Sequence, residues 1–171
     1  MDTMIESVFV DTEEILRQVN ARVLRKKILI SVLIMAACTV GFAVLGITAQ
    51  SMTFVVAAVV CLVLVVMCMR APKNVANRTY LNKQDCYGGT IPTTTIRFGE
   101  EIVVEYDESE ISISYLELKR VCILKSCITF EASERTWYYT PFDSFTQGSP
   151  QELLALLEEK CPHITVPKGK W

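Results

Sequence analysis

No charged side chain occurs between Ile28 and Met69. Thr48–Ala49–Gln50–Ser51 divides this run into two apolar stretches, Ile28–Ile47 and Met52–Met69. A helix rises ~1.5 Å per residue, so about 20 residues cross a hydrocarbon core of ~30 Å. The first stretch fits that length and the second sits at the short end of the range. Both are rich in Leu, Ile, Val and Phe, each of which favours insertion by roughly 0.3 to 0.6 kcal/mol near the helix centre. The sequence therefore predicts a two-helix transmembrane hairpin over 28–69. A buried helix pair in a soluble fold would need far more surrounding chain to cover it. A cleaved leader is disfavoured too, because the first stretch starts late, is long, and is followed at once by another.

Orientation follows from the basic residues. Arg22, Arg25, Lys26 and Lys27 precede the first stretch, Arg70, Lys73 and Arg78 follow the second, and the connecting loop has none. Positive residues are retained on the cytoplasmic side. Both termini of a multi-pass plasma-membrane protein are thus expected in the cytoplasm. From Tyr80 to Trp171 nine Lys/Arg stand against fourteen Asp/Glu. So acidic a region is a poor ligand for nucleic acid or anionic head groups, and no nucleic-acid partner is expected. The seven cysteines include three in the spans, Cys38, Cys61 and Cys68, and form no CxxC pair. In a reducing compartment they read as free thiols rather than disulfides or metal ligands.

Residues 1–27 read as strand or coil followed by an amphipathic helix. Asp11 with Glu14 has the spacing of a capping box, and Ile15, Leu16, Val19 and Val23 recur at helical spacing. Within the hairpin, small residues form ridges at four-residue spacing, Ala37–Gly41 on the first helix and Thr53–Ala57–Cys61 on the second. Such ridges let helices approach closely, within the hairpin or between copies. Neither span holds an ionisable group, which disfavours a stand-alone transporter.

After the hairpin, residues 70–86 read as a linker, within which Asn74 to Lys83 is polar and reads as linker or short helix. Cys86 to Pro92 carries a turn signal at Gly88–Gly89. Period-two alternation follows in short runs: Thr94, Ile96 and Phe98; Ile102, Val104 and Tyr106; Ile111, Ile113 and Tyr115; Val121 to Leu124; Ile128 and Phe130; Trp137 to Tyr139. Turns are expected at Gly99–Glu100, Asp107–Glu108–Ser109 and Ser133–Glu134. This is the pattern of an antiparallel sheet with one buried face. Ser149, Pro150 and Glu152 then open a helix whose stripe is Leu153, Leu154, Leu156, Leu157 and Cys161, and Pro162 ends it. The stripe needs the open face of the sheet. The fold class is α+β: a transmembrane hairpin, then an antiparallel sheet capped by a C-terminal helix, as in pleckstrin-homology-like folds. Residues 87–163 form that domain and 164–171 a tail.

From Tyr87–Gly88–Gly89 through Cys161 the chain resembles the YcxB-like family of small bacterial membrane proteins. The resemblance rests on Ile96–Arg97–Phe98–Gly99–Glu100, on Ser114 to Val121, on Pro141 to Gly148, and on the hairpin's position. It implies two spans and a pleckstrin-homology-like cytoplasmic domain that binds a peptide or lipid, with no catalytic residues to carry over.

His163, the single histidine, has no acid or nucleophile at motif spacing and reads as a tail residue. Glu100, Glu101, Glu105, Asp107, Glu108 and Glu110 read as a solvated surface rather than a cation site. No catalytic, metal or cofactor-binding residue is assigned, and no cofactor is expected. Trp171 suits the membrane interface or a free end. In the aromatic stretch, Trp137 and Tyr139 share one face. Tyr138, Phe142 and Phe145 are the possible interaction surface, weighed against core packing with helix anchoring. Two functions follow as expectations. One is a non-enzymatic, membrane-anchored binding module for an unknown protein partner or a second copy. The other is a small subunit or regulator of a transport or envelope complex, acting through Ala37, Gly41, Thr53, Ala57 and Cys61.

Overall fold

The apolar run folds as two long helices, α1 (Glu13–Thr48) and α2 (Met52–Cys86), in a computed structural model that describes residues 4–132 and 136–168. Ala49–Gln50–Ser51 turns the chain, with Gln50 at a φ of 48° and the Ser51 amide bonded to the Gly46 carbonyl at 3.2 Å. Each helix holds a stretch long and apolar enough to cross a membrane, and none of either stretch is buried by the rest of the chain. Residues 70–86, read as a linker, continue α2 through Pro72. They are polar but contain no glycine, so nothing beyond Pro72 breaks the helix until Gly88 and Gly89. There φ values of 62° and 94°, and a Gly89 amide bonded to the Gln84 carbonyl at 2.7 Å, close it in the manner of a glycine C-cap.

By contact the chain divides into two units, Asn20–Arg78 and a second composed of Met1–Val19 with Thr79–Trp171. In the helical unit the close approach falls at Gly46, where an added Cβ would lie 3.0 Å from the Val55 side chain, while Phe42 stacks on Phe54 at 6.5 Å.

Among the described residues the second unit holds eight strands, all antiparallel. β1 (Ile5–Val10), β2 (Thr93–Phe98), β3 (Ile102–Tyr106), β4 (Ser109–Ile113) and β8 (Phe145–Gln147) form one sheet in the order β4-β3-β2-β1-β8. β5 (Arg120–Ile123), β6 (Cys127–Glu131) and β7 (Trp137–Pro141) form the other. The expected alternation of β2 and β3 appears as buried Thr94, Ile96, Phe98, Ile102 and Val104. β4 differs: Ile113 is buried, Ile111 is exposed, and Tyr115 sits in a 3-10 turn (Tyr115–Glu117). The larger difference is β1. It lies before the hairpin in sequence, yet it is an inner strand of the five-stranded sheet, so the sheet unit is not confined to residues 87–163. Strand pairing over ~80 residues leaves no local signal, whereas alternation does.

Register arranges the inner face in cross-strand rows. Ile5, Phe98, Ile102 and Ile113 form one row, each no more than 3% exposed. Ser7, Ile96, Val104 and Ile111 form the next, and Phe9, Thr94 and Tyr106 the third. α3 (Pro150–Lys160) begins as expected: Ser149 accepts the Glu152 amide at 3.3 Å, Pro150 occupies the first turn, and Leu153, Leu154, Leu157 and Cys161 are buried. Lys160 donates to the Gly99 carbonyl at 3.0 Å, and a Cβ on Gly148 would meet Ile5. The helix thus seals the Ile5–Phe98 end of the core.

Candidate functional site

The opposite end is open. The second and third rows of the five-stranded sheet face β7 across a cleft of about 310 Å³. Phe9, Ile96, Val104 and Ile111 line one side and Trp137, Tyr138 and Tyr139 the other, with Asp11, Lys83 and Tyr106 also in its wall. The volume falls at the lower end of the range for ligand sites, and the lining has their character, mostly apolar with a few polar groups.

Those polar groups are organised around Asp11, which is 4% exposed. Its carboxylate accepts a hydrogen bond from the Tyr139 hydroxyl on one oxygen and pairs with the Lys83 ammonium through the other. Lys83 also lies 4.9 Å from the centroid of the Tyr106 ring. This corrects the capping-box reading of Asp11 and Glu14. Thr12 caps α1 instead, its hydroxyl accepting the Ile15 amide at 3.4 Å and its carbonyl the Leu16 amide at 3.1 Å. Asp11 is drawn inward because its two donors come from α2 and β7, neither of which is close in sequence.

Burial, reinforced by Asp11, pushes the Tyr139 phenol far above its ordinary range. Tyr106 is pushed up to about 12, first by burial and then by neighbouring Tyr87. The Tyr106 hydroxyl is sealed from solvent beside Tyr87 and, among the described residues, makes no hydrogen bond of ordinary geometry. The cleft therefore presents the Tyr106 phenol, protonated at neutral pH, while the Tyr139 hydroxyl and the Lys83 Nζ are committed to Asp11. That chemistry holds an apolar group and donates to an acceptor.

Tyr138, Phe142 and Phe145 are half-buried and packed against the core, with Tyr138 stacked on Phe130 at 5.7 Å. Only Tyr138 of the three lines the cleft. Trp137, Tyr139, Phe9 and Asp11 were missed as a group. The shared face of Trp137 and Tyr139 was legible, but their partners from β1 were not. Ala37, Gly41 and Thr53 are exposed and Ala57 and Cys61 half-exposed. Nothing lies within 4 Å of a Cβ on Gly41, so the close helix contact is at Gly46 rather than on the Ala37–Gly41 ridge.

Of the acidic residues between Glu100 and Glu110, Glu105 is paired in bidentate fashion with Arg97 at 2.6 and 2.9 Å, and the others are exposed. Among the described residues no three His, Cys, Asp or Glu gather as a metal cluster. His163 is exposed, its Nε2 donating to the Leu118 carbonyl at 2.7 Å. Cys122, Cys127 and Cys161 are buried and, among the described residues, in no disulfide. The Ser133–Glu134 turn and Trp171 lie outside the described residues.

Fold and site together define an α+β chain with two long apolar helices and a double-sheet unit opening into an aromatic cleft. Compared with protein-family models, curated proteins and solved structures, the chain matches none.

Proposed function

We propose that the chain is a membrane-anchored, non-enzymatic binding module. The hairpin spans the plasma membrane, both termini are cytoplasmic, and the sheet unit is a pleckstrin-homology-like domain of the YcxB-like kind. Support for the anchor comes from two uncharged stretches flanked by Arg22 to Lys27 and Arg70 to Arg78. Support for the domain type comes from antiparallel sheets of five and three strands packed on a C-terminal helix. The observation that carries the function is the cleft: aromatic and aliphatic on both walls, closed at one end, with the Tyr106 phenol sealed in its wall.

The test uses the full chain with Trp171→Phe in phosphatidylcholine nanodiscs, which leaves Trp137 as the sole tryptophan. Anilinonaphthalene sulfonate should show saturable energy transfer from Trp137 above the empty-disc background. Ile111→Glu should weaken it about tenfold, equivalent to about 1.4 kcal/mol. A signal no different from empty discs would remove the cleft as a site.

One observation favours a second reading, assembly through the hairpin: the Ala37–Gly41 ridge is uncovered within the chain. Gly41→Leu should then disrupt co-purification of a complex while leaving the sheet unit's unfolding midpoint unchanged. Unaltered assembly would exclude it.

A further inference from the structure

We propose that β4 is a docking edge for an extended peptide segment of a partner protein, one that alternates apolar with basic side chains and adds to the sheet as a sixth strand. The proposal rests on the binding-module reading and names its occupant.

Among the described residues β4 is a terminal strand, bonded only to β3, and Ser109, Glu110, Ile111 and Ser112 are all exposed. Asp107–Glu108 is a two-residue turn with Asp107 at a φ of 54°, closed by the pair Tyr106–Ser109. The pair closing such a turn exchanges both backbone hydrogen bonds, and the pattern then alternates along the ladder. Ser109, Ile111 and Ile113 therefore spend their amides and carbonyls on β3. Glu110 and Ser112 aim theirs outward, where an added strand would find them.

Side chains set the chemistry of that strand. Ile111, 49% exposed, ends the inward row of Ser7, Ile96 and Val104 and stands at the cleft. An apolar residue opposite it extends the row and covers the cleft. On the other face the row is Val8, Thr95, Glu105 and Glu110. Arg97 pairs with Glu6 and Glu105, and Glu110 has no ion pair among the described residues. A lysine or arginine on the added strand opposite Glu110 supplies the missing charge. A second copy offers no such cation: paired antiparallel about Ile111, its own β4 would set Ser112 opposite Glu110, and β4 contains no basic residue.

The experiment uses the full chain in phosphatidylcholine nanodiscs and a blocked, fluorescein-labelled octapeptide alternating lysine with valine, read by anisotropy. Saturable binding is expected, with none for a block peptide of the same composition. Ser112→Pro removes one outward amide on an edge that tolerates proline, and should abolish binding with an unchanged unfolding midpoint. Glu110→Lys should weaken binding more than about tenfold and transfer preference to a glutamate–valine peptide. Equal binding by the Ser112→Pro protein, or by the block peptide, would overturn strand addition. Binding that appears only in discs containing anionic lipid would assign the peptide to the membrane and overturn it as well. No peptide binding alongside saturable dye binding in the cleft would overturn this occupant alone. Loss of both would remove the module reading itself.

Discussion

Replacing Asp11 by asparagine separates two accounts of the same residue. As a helix cap, asparagine serves as well as aspartate, and the change costs about 0 kcal/mol, with alanine costing about 1. As a buried carboxylate the residue has more to lose. A hydrogen bond to a charged group contributes roughly 1.5–3 kcal/mol against 0.5–1.5 for a neutral one, so Tyr139 loses about 1 when its acceptor becomes an amide. The Lys83 side chain is 31% exposed, so its ion pair with Asp11 is screened and adds about 1 kcal/mol. Asp11→Asn is therefore expected to cost about 2 kcal/mol and Asp11→Ala about 3 to 4, since alanine leaves the Tyr139 hydroxyl without any acceptor. Thr12→Ala should cost only about 1, the usual loss of a cap. Urea unfolding of the Trp171→Phe chain in nanodiscs, followed by Trp137 emission, reads all three. An Asp11→Asn protein as stable as its parent would refute the argument and return Asp11 to the cap.

Three further outcomes are expected. A fragment beginning at Tyr87 lacks Ile5, Ser7 and Phe9 from the three inward rows and should show no cooperative unfolding by circular dichroism; a cooperative transition would show β1 to be dispensable. Gly148 has a φ of 79° and leaves a Cβ only 3.0 Å from Ile5, so Gly148→Ala should destabilise by more than the ~1 kcal/mol expected of Ser149→Ala, measured by urea unfolding. Burial raises the Cys127 thiol from 9.0 to about 12. The unfolded chain then releases its proton first, so stability is full below pH 9 and falls toward pH 12, by about 1.4 kcal/mol per unit for this group. Cys127→Ala, although less stable at neutral pH, should lose less on raising the pH in unfolding titrations; an identical slope would refute the assignment.

What the sequence made legible was what local pattern encodes. The charge-free run, the alternation of β2 and β3, and the Ser149–Pro150–Glu152 start of α3 depend on residues within a turn or two of one another, whereas β6, read as alternating, is buried on both faces from Cys127 to Phe130. The polar continuation of α2 was half legible, because absence of glycine permits a helix without requiring one. The site was far less so. Its face of Trp137 and Tyr139 followed from period two, but its other wall belongs to β1, and its charge pair joins residues 11 and 83. Nothing at either position announces the other.

That separation bears on how the unit is built. β1 leads directly to α1, and β2 follows α2, so the hairpin is inserted between two strands that are neighbours in one sheet. Closing the sheet therefore requires the chain to leave and return, and the returning end must reach Asp11. Lys83 and Tyr139 make that arrival specific, because a buried carboxylate is stable only where its donors converge. The same convergence places Phe9 opposite Tyr139, their rings 5.4 Å apart, which forms the closed wall of the cleft. The cleft thus arises where the two strands flanking the hairpin meet β7. A chain that failed to bring residues 11 and 83 together would lose the site along with the sheet.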